Sequence, residues 1–232
     1  MMDKLKNYFE NRQDALRHLF LELETINLDN TLVVALCPEG AIMADAVARH
    51  FDLEMEYLFC APIPAPLNPE CAIALVGEFM DVVIDENLLD SFGIPIDYVY
   101  QQAKVVYEEK ILQNVKNLRK NQEIAKISGR NILIVDEGIE TGFSVEVIIK
   151  TCVNAGCKSA SVAVPVLSKD VENYLLKFCD CVYSVLSPDF FVSTNYYYTH
   201  LPVINENAQG FDFCELEAYK PNWKEENDNN TI

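Results

Sequence analysis

A chain of 232 residues, half of them hydrophobic and a tenth aromatic, can bury one good-sized core, which excludes a disordered protein. Its net charge of −18 leaves no basic face for nucleic acid or an anionic membrane. Eight cysteines without paired C-x-x-C spacing and three scattered histidines argue against a zinc site or a disulfide framework, so free thiols are expected.

The opening stretch "MMDKLKNYFENRQDALRHLF" lacks the basic-then-apolar layout of a signal peptide. No run approaches the ~20 apolar residues of a membrane span, so a cytoplasmic protein is expected. Residues 3–24 place Leu5, Tyr8, Phe9, Ala15, Leu16, Leu19, Phe20 and Leu23 near helical spacing. "TLVVALC" (31–37) reads as a short buried strand, and "PEGAIMADAVARHF" (38–51) as a turn and a helix. "LEMEYLFC" (53–60) alternates like a strand, and the proline-rich "APIPAPLNPE" (61–70) reads as a loop. "CAIALVGE" (71–78) and "DVVID" (81–85) read as an antiparallel pair. A long charged helix follows, from Ile96 to about Gln122.

After Gly129 the elements alternate strictly. The strand "NILIV" precedes a helix over 144–155, with Gly156 suited to its C-terminal end. The strand "SASVAVPV" precedes the helix "KDVENYLLKF", and the strand "DCVYSVL" runs into the aromatic loop "SPDFFVSTNYYYTHLPV". Such alternation implies an α/β fold: an open parallel sheet with helices on both faces and right-handed crossovers. The middle of the chain forms a small inserted hood over about 60–125, within one domain over 1–222 that ends in a polar tail, 223–232.

Chemistry concentrates in "NILIVDEGIETGFS". In an open parallel sheet, ligands bind beyond the carboxyl ends of the strands. Here a buried strand ends in Asp136 and Glu137, and a helix begins near Ser144. The backbone N–H groups at that helix start form a ready anion site. Gly138 and Gly142 permit unusual backbone angles, and Thr141 and Ser144 supply hydroxyls. Asp136 and Glu137 are acceptors suited to sugar hydroxyls or a hydrated Mg2+.

This stretch resembles the phosphoribosyl-pyrophosphate (PRPP) motif of the type I phosphoribosyltransferases. "VVALCPEGAIMADAVA" is similar to that family's first strand and pyrophosphate loop, and "NPECAIALVGE" to the flexible-loop hairpin of a bacterial phosphoribosyltransferase-like subgroup. "SPDFFV" is similar to the base-binding loop of purine-salvage enzymes. The resemblance implies that Asp136 and Glu137 hold the ribose hydroxyls, directly or through Mg2+. It implies that Gly138, Ile139, Glu140, Thr141, Gly142, Phe143 and Ser144 wrap the 5'-phosphate. Glu140 would handle the proton on the base. Pro38, Glu39 and Gly40 would form the pyrophosphate loop, Phe191 would stack on a purine, and backbone at Val192 would meet its edge. A homodimer is also implied.

Departures from the family pattern are specific. Glu39 stands where that loop carries basic or open residues. Ala61 and Pro62 stand where the subgroup has an Arg-Lys pair, Pro165 where a lysine reads the base, and Phe143 where a lysine can meet the phosphate. At ~5 Å and an effective dielectric of ~20, each charge pair is worth ~3 kcal/mol, so the diphosphate end is weakened. Two functions are compatible with this pattern: a transferase of the phosphoribosyl group from PRPP to a nucleobase, or a catalytically inactive module that binds a nucleotide or sugar phosphate. Lys104, Lys110, Lys116, Arg119, Lys120, Lys126 and Arg130 are the candidates to supply a missing cation from the insertion.

Overall fold

The computed structural model describes residues 8–119 and 123–202. Five strands form a parallel sheet in the order β2-β1-β6-β7-β8: β1 (Thr31–Ala35), β2 (Glu54–Tyr57), β6 (Asn131–Val135), β7 (Ser159–Val166) and β8 (Cys181–Leu186). Register is set by the strand period of two. Val33, Ala35, Leu133, Val135 and Ala163 face one core, packed under α1 (Arg12–Leu23) and α2 (Pro38–His50). Leu32, Val34, Ile132, Ile134, Val162 and Val164 face the other, under α6 (Phe143–Asn154) and α7 (Lys169–Leu175). Strands buried on both faces read as unbroken apolar runs, which is why "NILIV" and "TLVVA" were legible.

The chain order gives the sheet its binding crevice. β1 leads by α2 to β2 on one side, whereas β6 leads by α6 to β7 on the other. The carboxyl ends of β1 and β6 therefore flank the point where the strand order reverses.

The hood is a second, antiparallel sheet, β3-β4-β5, built from Cys60–Ala65, Asn68–Gly77 and Val82–Ile84. Here the sequence reading of 61–70 as a loop is corrected. Pro62 and Pro64 lie in β3, opposite Leu75 and Ala72, with register shifts around Pro64. β3 is an edge strand, where proline's missing N–H costs no ladder bond. The expected strand over 53–60 is likewise two pieces, β2 and the start of β3. The helical stretch after it begins earlier than expected, with α3 (Glu86–Phe92). Asp85 caps α3 by accepting from Leu88 N, and Gly93 ends it at φ 61°. The long helix from Ile96 is α4 (Ile96–Val106), one π-type turn (Tyr107–Ile111) and α5 (Leu112–Leu118).

Among the described residues no helix is long and apolar enough to cross a membrane. The polar tail lies outside the described residues.

Candidate functional site

Two segments meet at the crevice. The first follows β1, and it is helix where a loop was expected. Cys37 caps α2, Pro38 occupies its first turn, and Glu39 sits beside it at the positive end of the helix dipole. The Cys37 thiol accepts from Gly40 N (3.2 Å) and donates to Asp136 Oδ1 (3.4 Å). Gly40 is required by this approach. A Cβ there would lie 3.0 Å from Asp136 Oδ1 and 3.1 Å from the carbonyl of Val135. One N–H of the expected pyrophosphate loop is therefore already engaged.

The second segment follows β6. Asp136 and Glu137 are both buried. Asp136 Oδ1 also accepts from Glu137 N (2.7 Å), while Oδ2 takes no hydrogen bond from a described residue. Burial, aided by the charges of Glu137 and Glu39, pushes the Asp136 carboxyl up to about 7. Burial also raises Glu137, although Arg12 opposes the shift. Arg12 comes from the start of α1: its Nε donates to Glu137 Oε2 (2.7 Å) and its second nitrogen to the carbonyl of Pro202 (2.8 Å). Tyr198 donates its hydroxyl to the carbonyl of Glu137 (2.7 Å).

Beyond Glu137 the chain is anchored at Ile139, whose N–H donates to Val166 O (3.1 Å) and whose side chain is in the core. The next backbone bond in the chain is from Glu146 N to Gly142 O (2.9 Å). Between them, the N–H groups from Glu140 to Val145 donate to no described residue. Gly142 makes this bend possible at φ 82°, directly before α6. The result is a row of free N–H groups at a helix start, the geometry that holds a phosphate.

This row lies between two cavities. One, of about 320 Å3, is lined by Cys37, Glu39, Asp136, Glu137, Gly138 and Glu140, with Thr194 and Asn195 opposite. Glu140 reaches across it to accept from Thr194 N (3.0 Å). The other, of about 360 Å3, has Thr141, Phe143 and Ser144 as its floor and the hood as its roof.

The structure thus brings together Asp136, Glu137, Gly138 and Glu140 with Glu39. Phe191 and Val192 line neither cavity. Phe191 stacks on Tyr197 (5.3 Å between centroids, 26°), and Val192 is exposed. The described cations of the insertion line neither cavity. Arg119 is buried beneath Phe59 and paired with Glu78, and Arg130 pairs with Glu54. Sequence reasoning missed Arg12 and Tyr198, which reach Glu137 from both ends of the chain.

No protein-family model matches the chain. Two strain versions of a Mycobacterium tuberculosis protein described as a "putative phosphoribosyl transferase" are 24% identical over 186 residues, 79% of this chain. The match covers 41% of those proteins, so the chain spans less than half the length of the relatives it matches. The crystal structure of TT1426 from Thermus thermophilus superposes with a TM-score of 0.68 at 27% identity, covering 85% of this chain and 93% of that one.

The chain is thus similar to proteins described as phosphoribosyl transferases. Its parallel five-stranded sheet flanked by helices is an open α/β fold shared with the Thermus structure. Among the described residues no group of three or more His, Cys, Asp or Glu side chains is placed to hold a metal ion. Asp136 Oδ2, which accepts from no described residue, and the Glu137 carboxylate are the groups that would hold a Mg2+, an ion that takes one or two carboxylates and completes its shell with water and substrate phosphates.

Proposed function

We propose that this chain binds a phosphoribosyl compound across the crevice and transfers the phosphoribosyl group from PRPP to a nucleobase. The observation that carries this reading is the row of N–H groups from Glu140 to Val145 that donate to no described residue, beside the carboxylates of Asp136 and Glu137. The N–H groups hold the 5'-phosphate, and the carboxylates hold the ribose hydroxyls. Mg2+ held by Asp136 and Glu137 would offset the charge of the diphosphate.

In the transfer, the bond from C1 to the ring nitrogen of the base forms as the C1–O bond breaks and diphosphate leaves. Positive charge develops on the ribose, and carboxylates nearby stabilise it. Glu140, exposed and bonded through one oxygen only, takes the proton lost from the ring nitrogen. The resemblance of "SPDFFV" favours a purine as acceptor.

A second reading has a specific observation behind it. Gly40's N–H is already bonded to Cys37, Glu39 lines the cavity where diphosphate should lie, and no described lysine or arginine lines it. These features favour a module that binds ribose 5-phosphate or a nucleoside monophosphate without catalysis. Calorimetric titration of PRPP with Mg2+ against ribose 5-phosphate separates the two. A transferase prefers PRPP-Mg by tenfold or more, and a binding module prefers neither or the smaller ligand. Failure of both ligands to bind overturns the proposal.

A further inference from the structure

Three of the four polar groups of Glu137 are already engaged. Its N–H donates to Asp136 Oδ1 (2.7 Å), its carbonyl accepts from the Tyr198 hydroxyl (2.7 Å), and its Oε2 accepts from Arg12 Nε (2.7 Å). Oε1 accepts from no described residue, and Glu137 lines the cavity that also holds Asp136 and Glu140. An arginine often meets a carboxylate through two parallel bonds that occupy both oxygens. Here the second nitrogen turns instead to the carbonyl of Pro202 (2.8 Å), and Oε1 is left open.

Arg12 stands behind this wall and does not line the cavity; its side chain is only 13% exposed. It is the first residue of α1, where a cation opposes the helix dipole, so its placement does not serve the helix. What it joins is the crevice and a strap built from both ends of the described chain. Phe9 N donates to Tyr197 O (3.0 Å), Thr199 N to Phe9 O (2.8 Å) and His200 N to Glu10 O (2.9 Å). The strap therefore grips Glu137 twice, at its backbone through Tyr198 and at its carboxylate through Arg12. The Pro202 carbonyl fixes the guanidinium, and the guanidinium fixes the carboxylate.

We infer that Arg12 is a positioning residue for the ribose: it holds Glu137 by one oxygen, so that Oε1 is presented to the ribose hydroxyls, directly or through Mg2+. This rests on the reading of Glu137 as a carboxylate that holds the ribose. Arg12 bonds to none of residues 140–145, so a phosphate held there does not depend on it. Its effect on binding passes through Glu137 and is confined to ligands that carry the sugar.

The test is a double-mutant cycle read by calorimetric titration of the full chain, with ribose 5-phosphate plus Mg2+ as one probe and inorganic phosphate as the other. Arg12→Gln is expected to weaken ribose 5-phosphate binding about tenfold or more and to leave inorganic phosphate within about twofold. Glu137→Gln weakens ribose 5-phosphate as well, and in that background Arg12→Gln changes it by less than about twofold. A thermal melt checks each variant, and Arg12→Lys, which keeps the charge and loses the fork, replaces Arg12→Gln in the same cycle if that variant does not fold. Three results overturn the inference while the ribose site stands: ribose 5-phosphate binding that survives the Arg12 substitution, a loss of equal size with and without Glu137→Gln, or an equal loss for inorganic phosphate. Failure of ribose 5-phosphate to bind the unaltered chain shows instead that the ribose reading is wrong, and the inference falls with it.

Discussion

Replacing Asp136 with asparagine separates the cost of the site from its use. The carboxyl is buried and pushed up from 3.8 to about 7. Because the folded state holds this proton more tightly than the unfolded chain, the group's contribution is most favourable below pH ~4 and is lost as pH rises through about 7. A shift of roughly three units at ~1.4 kcal/mol each makes the ionised carboxylate cost up to about 4 kcal/mol at pH 8. Asparagine resembles the protonated acid: its Oδ1 can still accept from Glu137 N and from the Cys37 thiol. Urea unfolding of both proteins at pH 4.5 and pH 8 reads the difference. The variant should exceed the wild type by no more than about 1 kcal/mol at pH 4.5 and by a few kcal/mol at pH 8, while losing Mg2+-dependent ligand binding. Equal pH dependence in the two proteins would refute the argument that Asp136 is a buried acid kept for ligand.

Three further substitutions have defined outcomes. Glu39→Gly removes a carboxylate from the diphosphate end, so PRPP affinity should rise tenfold or more while ribose 5-phosphate affinity holds in parallel titrations. The lost helix-dipole partner should lower stability by about 0.3–1 kcal/mol. Gly138→Ala places a Cβ 2.6 Å from Thr194 Oγ1, an overpacking worth about 1–3 kcal/mol in denaturant unfolding, and Thr194→Ala in the same chain should recover most of it. Arg12→Gln leaves the Glu137 carboxylate without its cation and should cost about 1–3 kcal/mol, which adding Glu137→Gln largely restores. A loss that persists in that double variant would mean Arg12 acts through Pro202 alone.

The segment from β6 to α6 was legible because each level of the sequence agreed there. An apolar run buried on both faces, two acids, a glycine in the left-handed region and a helix start all pointed to one strand–loop–helix turn. Residues 61–70 were not legible, because proline is read as a strand breaker and only the place of β3 at a sheet edge makes Pro62 and Pro64 harmless. α3 carried its own signals, an aspartate cap and a glycine stop, yet it is only seven residues long and shows little periodicity. Arg12 left no local trace. Its partner is 125 positions away, and only the packing of α1 under β7 and β8 brings the two together. The Cys37 thiol was hidden for a different reason: serine, threonine, aspartate and asparagine are the usual helix caps, so "CPEG" read as a loop.

The central claim is that free N–H groups at residues 140–145 receive a ribose phosphate, and amide NMR of the 26.3 kDa chain during titration with ribose 5-phosphate tests it most directly. Saturable shifts are expected at the amides of Glu140 to Val145, with smaller ones at Glu137 and Thr194. Saturation with those amides unmoved, or no shift at millimolar ligand, would contradict it.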